Sequence, residues 1–133
     1  MKLGPQFPRG ERGATFVEFA IVVAVIFLPL VFGVIEFGRL SYLKTTVTAA
    51  AREGVRYSIV HGTASGAIAD SAAVADYVKG RTKLSPIVVR PAWRPGKAPG
   101  DTAEVQVTYT YVPIIRIIPS KTLMSKSKQV ISF

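Results

Sequence analysis

Cysteine is absent from this 133-residue chain, histidine and tryptophan occur once each, and only eight residues are acidic. Without cysteine there is no disulfide, no thiolate nucleophile and no sulfur-built zinc site. The lone histidine, His61, opens a small-residue stretch (HGTASG) that reads as a flexible turn and resembles a phosphate-cradling loop only in composition. Asp70 and Asp76 are six positions apart, which keeps them off a common helical face. No serine or threonine has a base placed beside it by a recognisable motif. No catalytic, cofactor-binding or metal-ligating residue is therefore expected, and the chain is read as a non-enzyme. Blocks of like charge are also lacking. The net charge is +9, yet the cations are dispersed from Arg39, Lys44, Arg52 and Arg56 to Lys121, Lys126 and Lys128. They are not interleaved with aromatics as in an RNA-binding signature, so no nucleic-acid partner is expected. A solvated basic face formed by Lys79, Arg81, Lys83, Arg90, Arg94 and Lys97 is the simple reading; binding of anionic polymers is the alternative.

What the chain does have is an apolar run. Phe19–Ile35 (FAIVVAVIFLPLVFGVI) carries neither charge nor side-chain hydrogen-bonding group. Extended to Ala14 and Phe37, it suffices to cross a hydrocarbon core, which takes about 20 helical residues. A buried core helix is the competing explanation, but a chain this small has little else with which to surround one. Before the run lies a leader, Met1–Gly13, with two prolines, three glycines including Gly13, and Lys2, Arg9 and Arg12 against Glu11. Arg39 and Lys44 follow the run, so the charge bias is small, and a short leader favours a cytoplasmic N-terminus with the remainder outside. Glu18 sits inside the start of the apolar segment, where a charge is costly and marks function; its plain alternative is a carboxylate favoured by a helix N-terminus. Pro29 removes a backbone donor, leaving the Val25 carbonyl without its usual partner, and Gly33 weakens the same region, so a helix bend is expected at Pro29 and Gly33.

The helical pattern continues beyond the apolar run. Leu40, Leu43, Val47, Ala50 or Ala51, and Val55 form one face, with Arg39, Lys44, Arg52, Glu53 and Arg56 mostly opposite, to about Ile59 and a stop at His61-Gly62. Glu36 and Arg39, three apart, are placed for a helix-surface ion pair. A second helix is expected over 67–79, capped by Asp70 or Ser71, with Ile68, Ala72, Ala75 and Val78 inward. Residues 84–90 read as a strand, 91–100 as a proline-rich loop around Trp93, 103–112 as an alternating strand ended by Pro113, Ile114–Ile118 as a short apolar segment around Arg116, and 126–133 as a last strand. The organisation expected is a leader at 1–13, a transmembrane helix at 14–38, an amphipathic extension at 39–60 and a small extracytoplasmic domain at 61–133. The fold class is α+β: a long N-terminal helix, then one helix and a three- to four-stranded antiparallel sheet. Ordinary secretory cleavage near Thr48–Ala51 fits poorly, because that site lies well beyond the apolar run.

Arg9-Gly10-Glu11-Arg12-Gly13-Ala14, then Val17-Glu18-Phe19-Ala20, Pro29, Gly33-x-x-Glu36-Phe37-Gly38-Arg39 and Ala50-Ala51-Arg52-Glu53-Gly54-Val55-Arg56-Tyr57 together resemble the TadE-like minor pilins (pseudopilins) of Tad/Flp tight-adherence systems. The resemblance is dense over residues 9–57; Thr108–Pro113 is similar but less specific. It implies cleavage by a prepilin peptidase between Gly13 and Ala14, with Glu18 as fifth mature residue. It also implies that Glu18 and Phe19 serve processing or assembly, and that the partners are the peptidase, other pilins or pseudopilins, and inner-membrane assembly proteins around a single membrane span. A prominent outer domain sets the chain apart from the much shorter major Flp pilins and points to a minor or accessory role. The alternative is an unprocessed bitopic membrane protein whose outer domain binds a partner.

Overall fold

The computed structural model describes residues 11–114 and 118–132. Met1–Gly10, which hold most of the leader including Arg9, the 115–117 segment around Arg116, and Phe133 lie outside the described residues, as do the side chains of Glu11 and Arg12. By its packing the chain divides into two units, Met1–Gly38 and Arg39–Phe133.

In the first unit, helix α1 spans Glu11–Val22 and passes through a π-helical turn, Val23–Phe27, into α2, Leu28–Val60. The leader's last residues, 11–13, are thus helical. The turn lies directly before Pro29. In it the Leu28 N–H donates to the Val23 carbonyl, five residues back. Single wide turns of this kind are the usual form of π-helix inside an α-helix.

The second unit is built around the outer part of α2. Leu43, Val47, Ala51, Val55 and Ile59 recur every fourth residue and are all buried, so Ala51 rather than Ala50 holds the core position. A short 3₁₀ turn, Thr63–Ser65, leads to Gly66, whose positive φ of 73° suits a residue without Cβ. Helix α3, Ser71–Arg81, then begins four residues later than the 67–79 expectation. Asp70 stops it from starting earlier: its backbone is extended and its carboxylate accepts from the Ala73 N–H at 2.7 Å. The inward face is consequently Val74 and Val78, while Ile68 and Ala72 are exposed.

Three antiparallel strands follow, β1 Ile87–Arg94, β2 Thr102–Tyr111 and β3 Lys121–Val130, in the order β1-β2-β3. Both outer strands are shifted from the sequence expectation, β1 starting at Ile87 rather than 84 and β3 ending at Val130 rather than 133. Pro91, Ala92 and Trp93 belong to β1, opposite Val105, Glu104 and Ala103; an outer strand bonds on one side only and so accommodates a proline. β3 begins at Lys121 rather than residue 126, because it pairs along the full length of β2, from Tyr111↔Lys121 to Thr102↔Val130. Ala103, Val105 and Val107 of β2 are fully buried and join the α2 and α3 residues in one core. Helix and sheet come closest at Gly54, where an added Cβ would stand 2.9 Å from both Val105 Cγ1 and Val78 Cγ2.

Candidate functional site

Gly13, Ala14, Glu18 and Phe19 all lie on α1 with exposed side chains. Ala14 and Glu18 are four apart and so share one helical face, a turn from each other. Around and after them the helix is apolar on every side: Phe16, Phe19, Ile26, Phe27, Leu30, Val34 and Phe37 are each more than half exposed. A helix apolar all round is matched to a nonaqueous surrounding. The helix is long and apolar enough to cross a membrane, with none of its most apolar window buried within the chain. Pro29 and Gly33 are exposed, and no atom crowds Gly33. Arg39, in the second unit, sets its guanidinium 5.8 Å from the centroid of the Tyr111 ring.

Several polar residues of the second unit are engaged in structural roles. His61 stacks on Tyr57 at 4.2 Å between ring centroids, and its Nδ1 lies 3.0 Å from the Tyr57 carbonyl, which also accepts the His61 backbone N–H at 3.2 Å. Tyr57 stacks in turn on Tyr77, whose hydroxyl donates to Glu53 at 2.8 Å. Asp70 is a helix cap. Among the described residues no group of three His, Asp or Glu converges as metal ligands do. Of the expected basic face, Lys97 is occupied: its ammonium lies 4.3 Å above the Trp93 ring and donates to the Ala69 carbonyl at 2.7 Å. Trp93 is half-buried within β1 rather than in a loop. On the outer face of the sheet Glu104 faces Lys128 at 3.2 Å and Lys126 at 3.6 Å. The Lys128 hydrogen bond, aided by the charges of both lysines and opposed by desolvation, holds its carboxyl below the ordinary value.

One grouping escaped the sequence reading. Lys44, Thr48, Arg52 and Arg56 step by four along one side of α2 and, with Ser127 and Gln129 of β3, line an open groove of about 850 Å³. The signal was present in two parts: the four-residue spacing of the cations, and hydroxyl and amide side chains at every second position of β3. Neither part means anything until the strand is known to begin at Lys121 and to lie beside that helix.

Residues 13–56 match the family model described as TadE-like protein. The matched stretch runs from the glycine before Ala14, through the apolar segment, to the last of the groove cations, and covers the dense part of the resemblance. No curated protein and no solved structure matches the chain.

Proposed function

From the TadE-like character of residues 13–56, we propose that the protein is a minor pilin (pseudopilin) of a Tad/Flp-type pilus assembly and secretion system. It enters the cytoplasmic membrane with its N-terminus inside, is cut by prepilin peptidase between Gly13 and Ala14, and joins other pilins through its apolar helix. The observation that carries this reading is the placement of Ala14 and Glu18 on one exposed face at the head of a helix apolar all round. Hydrolysis of the Gly13–Ala14 peptide bond leaves a carboxylate on the released leader and an ammonium on Ala14. Glu18 is then a carboxylate with a mobile cation of complementary charge available on its own chain or on a neighbour. Pairing the two neutralises both in surroundings where either alone would be costly. The role is structural, with no chemical step performed by this chain.

The test is intact mass and N-terminal sequencing of protein extracted from membranes of the native host. A start at Ala14 supports the reading. A start at Met1 in cells with active peptidase overturns it in favour of an unprocessed bitopic protein. Replacing Gly13 by a bulky residue should block cleavage. Glu18→Ala should leave membrane insertion intact and reduce incorporation into assemblies by about tenfold or more, the scale of losing one charge partner in apolar surroundings.

A further inference from the structure

We propose that the free edge of β3, with the basic groove beside it, takes up an extended acidic segment of another protein, which joins the sheet as a fourth strand. The site lies within residues 44–129 and does not depend on cleavage at Gly13; an unprocessed chain would keep it.

The two outer strands are not equivalent. β1 is interrupted by Pro91, which has no N–H, and α3 packs along it. β3 pairs with β2 through all ten of its residues and with nothing else. Among the described residues, no backbone group of β3 bonds to a segment other than β2. A straight edge of that length is a template for one more strand.

The chemistry beside the edge selects the occupant. The helix-facing positions of β2 are Ala103, Val105 and Val107, all buried; their partners on β3 are Gln129, Ser127 and Ser125. Over this stretch β3 turns amide and hydroxyl side chains, not apolar ones, toward α2, where the groove lining also includes Ala49, Ile59 and Val60. On the helix side the groove is walled by Lys44, Arg52 and Arg56, exposed, with no carboxylate in ion-pair range among the described residues. Glu53 also lines the groove, but its carboxylate is engaged by the Tyr77 hydroxyl at 2.8 Å and by Arg81 at 4.0 Å. Arg52 and Arg56 are like charges four apart, an arrangement that disfavours the helix until an anion is supplied. A strand added about 4.8 Å outside β3 would send alternate side chains into this groove. Acids at every second position would meet the three cations there, while the strand's backbone would fill the open edge.

A second copy of the chain fits badly. Antiparallel pairing of β3 with another β3 would bring Lys121, Lys126 and Lys128 of both copies together, and lysines on an edge act against such self-pairing. The same positive edge that repels a copy admits an acidic strand.

The probe is a ten-residue peptide alternating Glu and Thr, added to the full chain in detergent. Binding is followed by fluorescence anisotropy and by amide hydrogen exchange. The expected result is saturable binding that weakens with salt, with new protection confined to residues 121–130. Two controls separate strand addition from simple charge attraction. A Lys/Thr peptide should not bind, and N-methylation of alternate peptide amides, made in both phases, should abolish binding in at least one phase. Arg52→Glu with Arg56→Glu, both at exposed positions, should lower affinity by about tenfold or more with the thermal midpoint retained. Lack of binding, equal binding of the lysine peptide, or indifference to N-methylation in both phases would each overturn the proposal. Protection of β3 in a peptide-free dimer would do so as well, since the edge would then belong to a second copy.

Discussion

Residues 11–38 and residues 39–133 use the same aliphatic residue types to opposite ends. In the first stretch Val25, Ile26, Leu30 and Val34 are all more than half exposed; in the second Val47, Val55, Val105 and Val107 are at most 1% exposed. The difference lies in spacing. From Phe19 to Ile35 the apolar positions are consecutive, so no face is left for water. From Leu43 to Ile59 the buried ones come every fourth residue, and the intervening positions carry Lys44, Thr48, Arg52 and Arg56. The second unit therefore buries the apolar faces of α2 and β2 internally, whereas the N-terminal helix leaves that task to its surroundings.

Changes aimed at one region should leave the other unmoved. Val55→Asp should have the largest effect. It puts a carboxylate at a fully buried point of the core and should destabilise the outer unit by about 3–5 kcal/mol. The loss would show as vanished amide protection in β2, with membrane association retained. Ile26→Asp should do the reverse, costing about 2.5–3.5 kcal/mol of insertion, seen as a reduced carbonate-resistant fraction with the unfolding midpoint of the outer unit unchanged. Gly54→Ala comes next. Its new Cβ would meet the stiff γ-methyls of Val105 and Val78 at 2.9 Å, an overpacking partly offset by alanine's better helix propensity, for a net loss of about 1 kcal/mol. The change should lower the thermal midpoint without affecting insertion.

The smallest effect belongs to Glu104. Its folded-state pKa lies below the ordinary 4.5, so its contribution is complete above the ordinary range and fades as pH falls through the lowered value. Glu104→Gln should remove that contribution, lowering neutral-pH stability slightly and flattening the acid dependence, so that the two proteins converge at the acid end. A urea midpoint measured across acidic pH for both proteins checks it, and equal slopes would remove Glu104 from the account.

In the first region the long apolar helix was legible in the sequence, because an unbroken apolar run leaves no face for water, and Pro29 marks a place where the helical hydrogen-bond ladder must be interrupted. What the sequence did not give was the form of that disturbance, a π turn, since a missing donor is compatible with several local geometries. In the outer unit, the α2 face and the β2 alternation were legible for the same reason: period and burial coincide. β1 and β3 were less so. Pro91 and Pro95 bracket Trp93 and suggest a loop, and KTLMSKSKQV has hydrophilic residues on both faces. Both become strands because β2 supplies a partner for each, and pairing of that kind is invisible to local propensity. The groove between α2 and β3 was hidden with them.

The π turn at Val23–Phe27 has a further consequence for the azimuth of the helix. Glu18 and Glu36 are eighteen residues apart, five whole turns of an ideal α-helix, which would stack them on one meridian. A single wide turn takes one residue more to complete its revolution, so everything after it lags by about 100°. The two carboxylates accordingly fall on different longitudes of the same cylinder. A straight line along the meridian of Glu18 therefore passes Glu36 by, and of the two carboxylates Glu18 is exposed while Glu36 is buried.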